Sequence, residues 1–404
     1  MNRIKSLLLS DAFNNAYSSI FSILVGLLFG LIVLLFSNPS EAANGFLIIL
    51  KGGFSTGAKG MGQVLYFATP LILTGLSVGF AFKTGLFNIG APGQFIMGAF
   101  TAVFIGVKWT FLPAPWHWIA ALIGAALIGG LWALIPGILK AYLNVHEVIA
   151  TIMMNYIGMY MANYLIKLYI YDSQKGLSMN VAGSAVLPKG GLDYVFYNLL
   201  GSTKDMSTVN AGIWIAIAVA IIMYIILNKT TFGYELKACG FNKDASKYAG
   251  INEKRNIVMS MVFAGMLAGL GGGLLYLSGA NGRRINVVDV LASEGFNGIP
   301  VALLGLSNPI GIIFSAIFIS YITQGGYYLQ TLDFVPEVID IIIACIIYFS
   351  AFSLFFRKLL PRFIKYRKDR QEAKAASLQA TVDETSVPAS EAAATDAKEE
   401  RGEE

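Results

Sequence analysis

Residues 213–275 read "IWIAIAVAIIMYIILNKTTFGYELKACGFNKDASKYAGINEKRNIVMSMVFAGMLAGLGGGLL". The runs 213–227 and 257–277 hold no charged residue, yet between them stand Glu235, Lys237, Lys243, Asp244, Lys247, Glu253, Lys254 and Arg255. About 20 apolar residues at ~1.5 Å rise cross the hydrocarbon of a bilayer. A helix keeps its backbone hydrogen bonds within the segment, which lipid requires because it offers no partners. The stretch therefore reads as a span, a polar insert at one membrane face, and a returning span.

The rest of the chain follows this pattern. Of 404 residues, 56% are hydrophobic and 13% charged, against about 25% charged in soluble domains. The fold class expected is an all-α polytopic membrane protein of about ten transmembrane helices, some broken or re-entrant, with both termini cytoplasmic. The spans lie near 19–37, 62–82, 94–112, 116–139, 146–169, 211–228, 256–279, 287–305, 308–326 and 335–356. Asp289, Glu294 and Pro300 interrupt the eighth. Residues 1–18, with basic residues and no clear cleavage site, read as a cytoplasmic N-terminus before a retained anchor.

Lysine and arginine set the orientation. Arg3 and Lys5, Lys140, the insert at 229–255, and the run from Arg357 to Arg370 fall on one side, the cytoplasm. Arg283 and Arg284 fall outside, against the rule. Residues 171–210 form an external segment, expected to make a small cap anchored by Val181, Leu187, Leu192, Tyr194 and Phe196. Residues 357–404 read as a basic, then acidic, disordered cytoplasmic tail. The net charge of +5, concentrated at segment ends, suits topology and not nucleic-acid binding.

Catalytic and metal motifs are absent from the sequence. Cys239 and Cys345 lie far apart, and His117 and His146 lack ligand partners at helical spacing, so no disulfide framework or metal site is expected. There is no Walker A pattern, GxSxG or HExxH. No catalytic residue and no cofactor is assigned to this chain, and any ATP energy has to come from a separate subunit.

Four stretches carry candidate function. In "KTGLFNIGAPGQFIMGAF" (83–100) glycines and Pro92 break the helix around Asn88 and Gln94. Irregular backbone at membrane depth survives only inside protein or beside a wet cavity; a plain cytoplasmic turn is the alternative. In "NVHEVIATIMMNYI" (144–157) Glu147, Thr151 and Asn155 stripe one helix face. Glu147 reads as first-turn decoration at the helix mouth, and Asn155 as an interhelical hydrogen bonder or cavity liner. "SEGFNGIPVALLGLSNPIG" (293–311) is a second discontinuous element, with Asn297 at its break. In the insert, Asn242 is an N-cap for a short helix over Lys243 to Tyr248, ended by Gly250. So short a helix is marginal unless it docks against something. The glycines of "GAALIGG" (124–130) and "GMLAGLGGG" (265–273) read as close helix contacts.

Four ordered motifs, "GLFNIGAPGQ", "HEVIATIMMNYI", "ELKACGFNKDASKYAGI" and "GFNGIPVALLGLSNPIG", resemble permeases of bacterial ABC importers. The branch is that of ribose and branched-chain amino-acid permeases, nearest its nucleoside (simple-sugar-like) members, and the resemblance covers residues 60–350. It implies that residues 19–356 form a transmembrane permease domain in the bacterial cell membrane. It also implies that the insert couples to an ATPase subunit through Glu235, Gly240, Asn242, Lys243, Ala245, Lys247, Ala249 and Gly250. The implied partners are that ATPase with its ATP and Mg, a second permease, and an extracellular substrate-binding lipoprotein. The function expected is the permease subunit of an ATP-driven importer of nucleosides, with Asn88, Gln94, Asn155 and Asn297 lining the path of this neutral small-molecule substrate. A sugar or amino-acid ABC permease and an ion-coupled secondary transporter, using Glu147, Asp289, Glu294 or Asp340, are the alternatives. Pro92 and Pro300 depart from the family pattern, which commonly has Glu and a small residue there.

Overall fold

The computed structural model describes residues 11–198, 207–279, 282–335, 337–352 and 370. The chain divides into a unit of residues 22–351 and a unit of 1–21 with 352–404. Apart from Arg370, the tail expected at 357–404 lies outside the described residues, as do the first ten.

The helices are α1 (Asp11–Ser37), α2 (Ala42–Lys51), α3 (Ala58–Lys83), α4 (Ala91–Lys108), α5 (Trp116–Leu143), α6 (Glu147–Tyr169), α7 (Leu192–Asn198), α8 (Gly212–Lys229), α9 (Thr231–Phe241), α10 (Lys243–Tyr248), α11 (Glu253–Tyr276), α12 (Ser293–Phe296), α13 (Gly298–Leu304), α14 (Pro309–Tyr327) and α15 (Glu337–Ala351). Two-residue strands β1 (Tyr171–Asp172) and β2 (Leu177–Ser178) pair antiparallel. Among the described residues, seven helical segments are long and apolar enough to cross a membrane: Ile20–Ser37, α3, α4, α5, α8, α11 and Pro309–Leu332. The expectation of about ten helical spans is met to that extent. The eighth span is not a continuous helix but the pair α12 and α13, of 4 and 7 residues. Helices α2 and α9 fall outside the expected spans.

Side chains sort by size and not by polarity. On α5, Ile123, Leu127, Leu131, Ile135 and Tyr142 point outward, while Ala125, Gly129, Ala133 and Gly137 are buried. This is the reverse of a soluble helix, and it suits lipid outside and close backbone packing inside. The small residues of α5 face Met261, Gly265, Gly269 and Gly273 of α11 in antiparallel order. A Cβ on Gly265 or Gly269 would overlap α5 backbone, and one on Gly269's neighbour Gly98 would overlap α11. Helix α11 is thereby clamped between α5 and α4. Ile312 of α14 packs beside Gly75 and Gly79 of α3, while Ser320 donates to the Val64 carbonyl at 2.7 Å, so these helices also run antiparallel. Gly26 and Gly30 of α1 take Ile346 and Ile342 of α15.

These pairings define two ends of the 22–351 unit. One carries Lys83, Asn144 and the polar insert. At the other, residues 171–192 close over the helix ends. Ser178 N–H donates to the Ile285 carbonyl (3.0 Å), Leu187 N–H to that of Leu277 (3.0 Å) and Ala182 N–H to that of Gly106 (2.8 Å). Val181, Leu187 and Leu192 are buried there as cap anchors, whereas Tyr194 is exposed; the Phe196 side chain lies outside the described residues. His117 is held between Ser184 Oγ (2.7 Å) and the Ile105 carbonyl (3.0 Å). Arg284 pairs with Asp172 at 3.2 Å, which gives this basic residue a local partner.

From Ile285 the chain passes back along α3. Gly295 lies on Pro92, Gly298 on Thr74, and Ser307 beside Gly79. Gly269→Val is expected to overpack the α5–α11 seam at a cost of about 1–3 kcal/mol, seen as a lowered unfolding temperature in detergent. Gly183→Ala, where an added Cβ meets nothing within 4 Å, should leave that temperature unchanged.

Candidate functional site

The break between α3 and α4 is built by three side-chain amides. Helix α3 ends at Thr84, and Gly85, at φ +74°, turns the chain. Pro92, which has no N–H to satisfy, occupies the first turn of α4, where it is best tolerated. Between them the backbone leaves the helical ladder. Asn88 and Gln94 form a closed pair: Asn88 Nδ2 donates to Gln94 Oε1 (2.9 Å), and Gln94 Nε2 donates back to Asn88 Oδ1 (3.1 Å). Asn88 Oδ1 also accepts the Gly90 N–H (3.1 Å), and its Nδ2 reaches Ser77 Oγ (3.2 Å).

Asn155 comes from α6 and bridges the break. Its Nδ2 donates to the Ile89 carbonyl and its Oδ1 accepts the Gly93 N–H, both at 2.9 Å. It serves as a stand-in peptide group for a turn of helix that is missing. The amides of Asn88, Gln94 and Asn155 are buried and engaged with one another or with backbone. The structure thus brings these three together and seals them in this conformation. Asn297, at the junction of α12 and α13, is exposed and stands apart from the set. Gly295, in the preceding turn, packs directly on Pro92, so the second discontinuous element rests on the first. Glu147 sits in the first turn of α6 and pairs with Lys140 at 2.7 Å.

The polar insert is a chain of capped short helices. Thr230 Oγ1 accepts the Gly233 N–H at the start of α9, Asn242 Oδ1 that of Ala245 at the start of α10, and Asn252 Oδ1 that of Arg255 at the start of α11. Gly250, at φ +80°, ends α10. Glu235 accepts from Asn256 Nδ2 (3.3 Å), the Cys239 thiol donates to Ser246 Oγ (3.4 Å), and Lys243 reaches Glu253 (3.9 Å). Of residues 241–250 only Ser246 is buried, so Asn242, Lys243, Ala245, Lys247, Ala249 and Gly250 all face outward. Phe241, the last residue of α9, and Tyr248, the last of α10, are 91% and 94% exposed. Their place in an otherwise charged stretch is the signal that marks them, and they add an apolar component to the charged set.

Gly240 ties the insert to the break. A Cβ on Gly240 would stand 2.7 Å from the Thr84 carbonyl carbon, and one on Gly85 would stand 2.7 Å from the Gly240 Cα. The Thr84 and Ser260 hydroxyls are hydrogen-bonded beside this contact. Asn88 follows Gly85 by only three residues. Among the described residues no group of three or more His, Cys, Asp or Glu could hold a metal ion.

Residues 60–351 match the family described as the permease component of the branched-chain amino acid transport system. The chain belongs to this permease family. It is similar to the guanosine ABC transporter permease protein NupP of Bacillus subtilis, 40% identical over 345 residues, covering 85% of this chain and 95% of NupP. The nucleoside ABC transporter permease protein NupB of Lactococcus lactis is 38% identical, covering 84% of this chain and 92% of NupB. The guanosine permease NupQ of B. subtilis is 27% identical over 64% of this chain and 78% of its own. No solved structure gives a significant match. Asn155→Leu is expected to strand the Ile89 carbonyl and the Gly93 N–H, each costing about 1–3 kcal/mol when buried without a partner. Thermal unfolding in detergent should show the loss.

Proposed function

We propose that the chain is the membrane permease subunit of an ATP-driven nucleoside importer. The observation that carries this reading is the backbone contact of Gly240 with Gly85, which joins an exposed docking helix to a sealed break within the span region. The substrate class draws on NupP and NupB, whose likeness runs over nearly their whole length. A second, non-identical permease is supported by pairs of relatives, NupP with NupQ in B. subtilis and NupB with NupC in L. lactis, all similar to this chain.

In this reading the insert end faces the cytoplasm and the chain crosses the bacterial cytoplasmic membrane ten times, with residues 285–307 as one irregular crossing. A separate ATPase, carrying ATP and Mg, grips α10, and Phe241 at the end of α9 and Tyr248 at the end of α10 enter a groove rimmed by the charges that face Lys243 and Lys247. Closure of the ATPase pushes α9, Gly240 moves Gly85, and residues 86–90 shift against Asn155 and Gln94. The amide pair then opens, and Asn88, Gln94 and Asn155, with Asn297, present hydrogen-bonding groups to the passing solute. Amides suit nucleosides, which are neutral and carry donors and acceptors on both base and ribose. A lipoprotein on the far side delivers the substrate.

Ion coupling would need a free carboxylate in the span region. Glu147 is paired with Lys140, Glu294 with Arg283, and Asp289 accepts from Asn163, so these three do not support it; Asp340, the fourth carboxylate, stands exposed on α15.

The full complex in liposomes, with its binding protein, should hydrolyse ATP faster when a nucleoside is present. Stimulation by a sugar or an amino acid and by no nucleoside would reverse the substrate assignment. Ala245→Trp is expected to abolish both uptake and the stimulation while the subunit remains inserted and assembled with the second permease, as judged by co-purification.

A further inference from the structure

At the end of the 22–351 unit opposite α9 and α10, a cleft of about 500 Å3 opens between α3 and the C-terminal end of α14. That volume is in the range of small-molecule sites, about 300–1,000 Å3. We propose that this cleft receives the base of a purine nucleoside with an oxo group at C6. The proposal rests on the nucleoside reading above and adds a site to it.

Three kinds of group converge there. The first is a run of ring faces. Tyr66 and Phe67 of α3 meet edge to face at 4.9 Å, and Phe67 stands 6.4 Å from Tyr327. Tyr327 is 49% exposed, so its ring offers open surface on which a base can stack, as aromatic platforms do in single-strand binding. Tyr328 is fixed by Thr56, whose hydroxyl lies 2.7 Å from its own.

The second is a pair of amides, each using one end on the protein. Gln63 Oε1 accepts from Thr208 (2.8 Å), and Gln324 Nε2 donates weakly to the Tyr328 hydroxyl (3.3 Å). The other end of each has no hydrogen bond among the described residues, and both side chains line the cleft. Gln63 Nε2 is therefore left as a donor for a ligand and Gln324 Oε1 as an acceptor.

The third is Arg283. Its guanidinium lies 5.8 Å over the Tyr276 ring and 3.7 Å from Glu294. Burial works against the charge, but Tyr276, Tyr66 and Glu294 outweigh it and hold the Arg283 pKa above its ordinary value. The charge is countered locally by Glu294 on the Nη1 side, which disfavours a phosphate, and Tyr66 also engages the guanidinium; the N–H groups turned away from these two are those offered to a ligand. An arginine fork matches two adjacent acceptors, and the N7 and O6 of a 6-oxopurine supply them. Pyrimidines lack that pair, and adenine replaces O6 with a donor. Lys59 stands exposed at the rim.

The test uses the complete complex in nanodiscs without its binding protein, photolabelled with tritiated 2-azidoinosine, which keeps both N7 and O6. Label is expected on peptides containing residues 63–67 or 324–328, displaced by guanosine or inosine and not by cytidine. Tyr327→Ala and Arg283→Gln should each reduce labelling about tenfold, given the energy of one stacking or one bidentate contact. Tyr327→Phe, which keeps the ring, should label like the parent. Tyr327 is exposed, so its variants test the site without disturbing the core. Label elsewhere, or label indifferent to both substitutions, in a complex that still shows nucleoside-stimulated ATP hydrolysis, overturns the site and leaves the transport reading standing. Displacement by guanosine 5′-monophosphate in preference to guanosine overturns it in favour of an anion site. Absence of nucleoside stimulation alongside stimulation by a sugar removes the nucleoside assignment on which the proposal rests.

Discussion

Two hydrogen bonds from Asn155 hold the molecule in its observed form. A membrane span can be interrupted only if something satisfies the freed peptide groups, and here a single carboxamide does so, one face to Ile89 and the other to Gly93. Remove that bridge and the α3–α4 break has no reason to stay dry. The Asn88–Gln94 pair, the packing of Gly295 on Pro92, and the seat of α12 all depend on the break being held in place. An interruption also makes a change of shape inexpensive. Opening it exchanges a handful of side-chain hydrogen bonds, whereas unwinding a continuous helix would strand a full turn of backbone groups.

The remainder of the 22–351 unit gives that break something rigid to work against. Helix α11 is locked to α5 and α4 by residues too small to allow slippage, and its N-terminal part meets the insert through Asn256 and the end of α3 through Ser260. The break therefore lies beside a helix that close packing holds in place.

Much of this was legible in the chain, and the reasons differ by residue. Asn242 and Gly250 announced the ends of α10 because capping and a left-handed turn are local properties. The glycines of 124–130 and 265–273 announced close packing because in lipid small residues take the place that large ones hold in water. Val181, Leu187 and Leu192 stood out as apolar residues in a polar segment. The break at 85–93 and the stripe through Asn155 were each visible, but not that one stitches the other, because 62 residues separate Gly93 from Asn155. Helix α9 was hidden for the opposite reason. Its sequence, TFGYELKACGF, has neither apolar length nor clean periodicity, and its helical state comes from the Thr230 cap and from contact with α3 and α11. Arg283 and Arg284 looked anomalous only while Glu294 and Asp172 were out of view.

The meeting of Gly240 with Gly85 has a mechanical corollary. Where two helices touch through long side chains, rotamer changes act as springs and absorb part of any displacement. Here main chain abuts main chain, and nothing between them can yield. Such a joint behaves as a hard stop, so any displacement imposed at one side would arrive undiminished at the other. Its zero point is also set by atomic radii alone. A single added methyl at either glycine would act as a shim, resetting the rest position of the whole linkage and not merely loosening it.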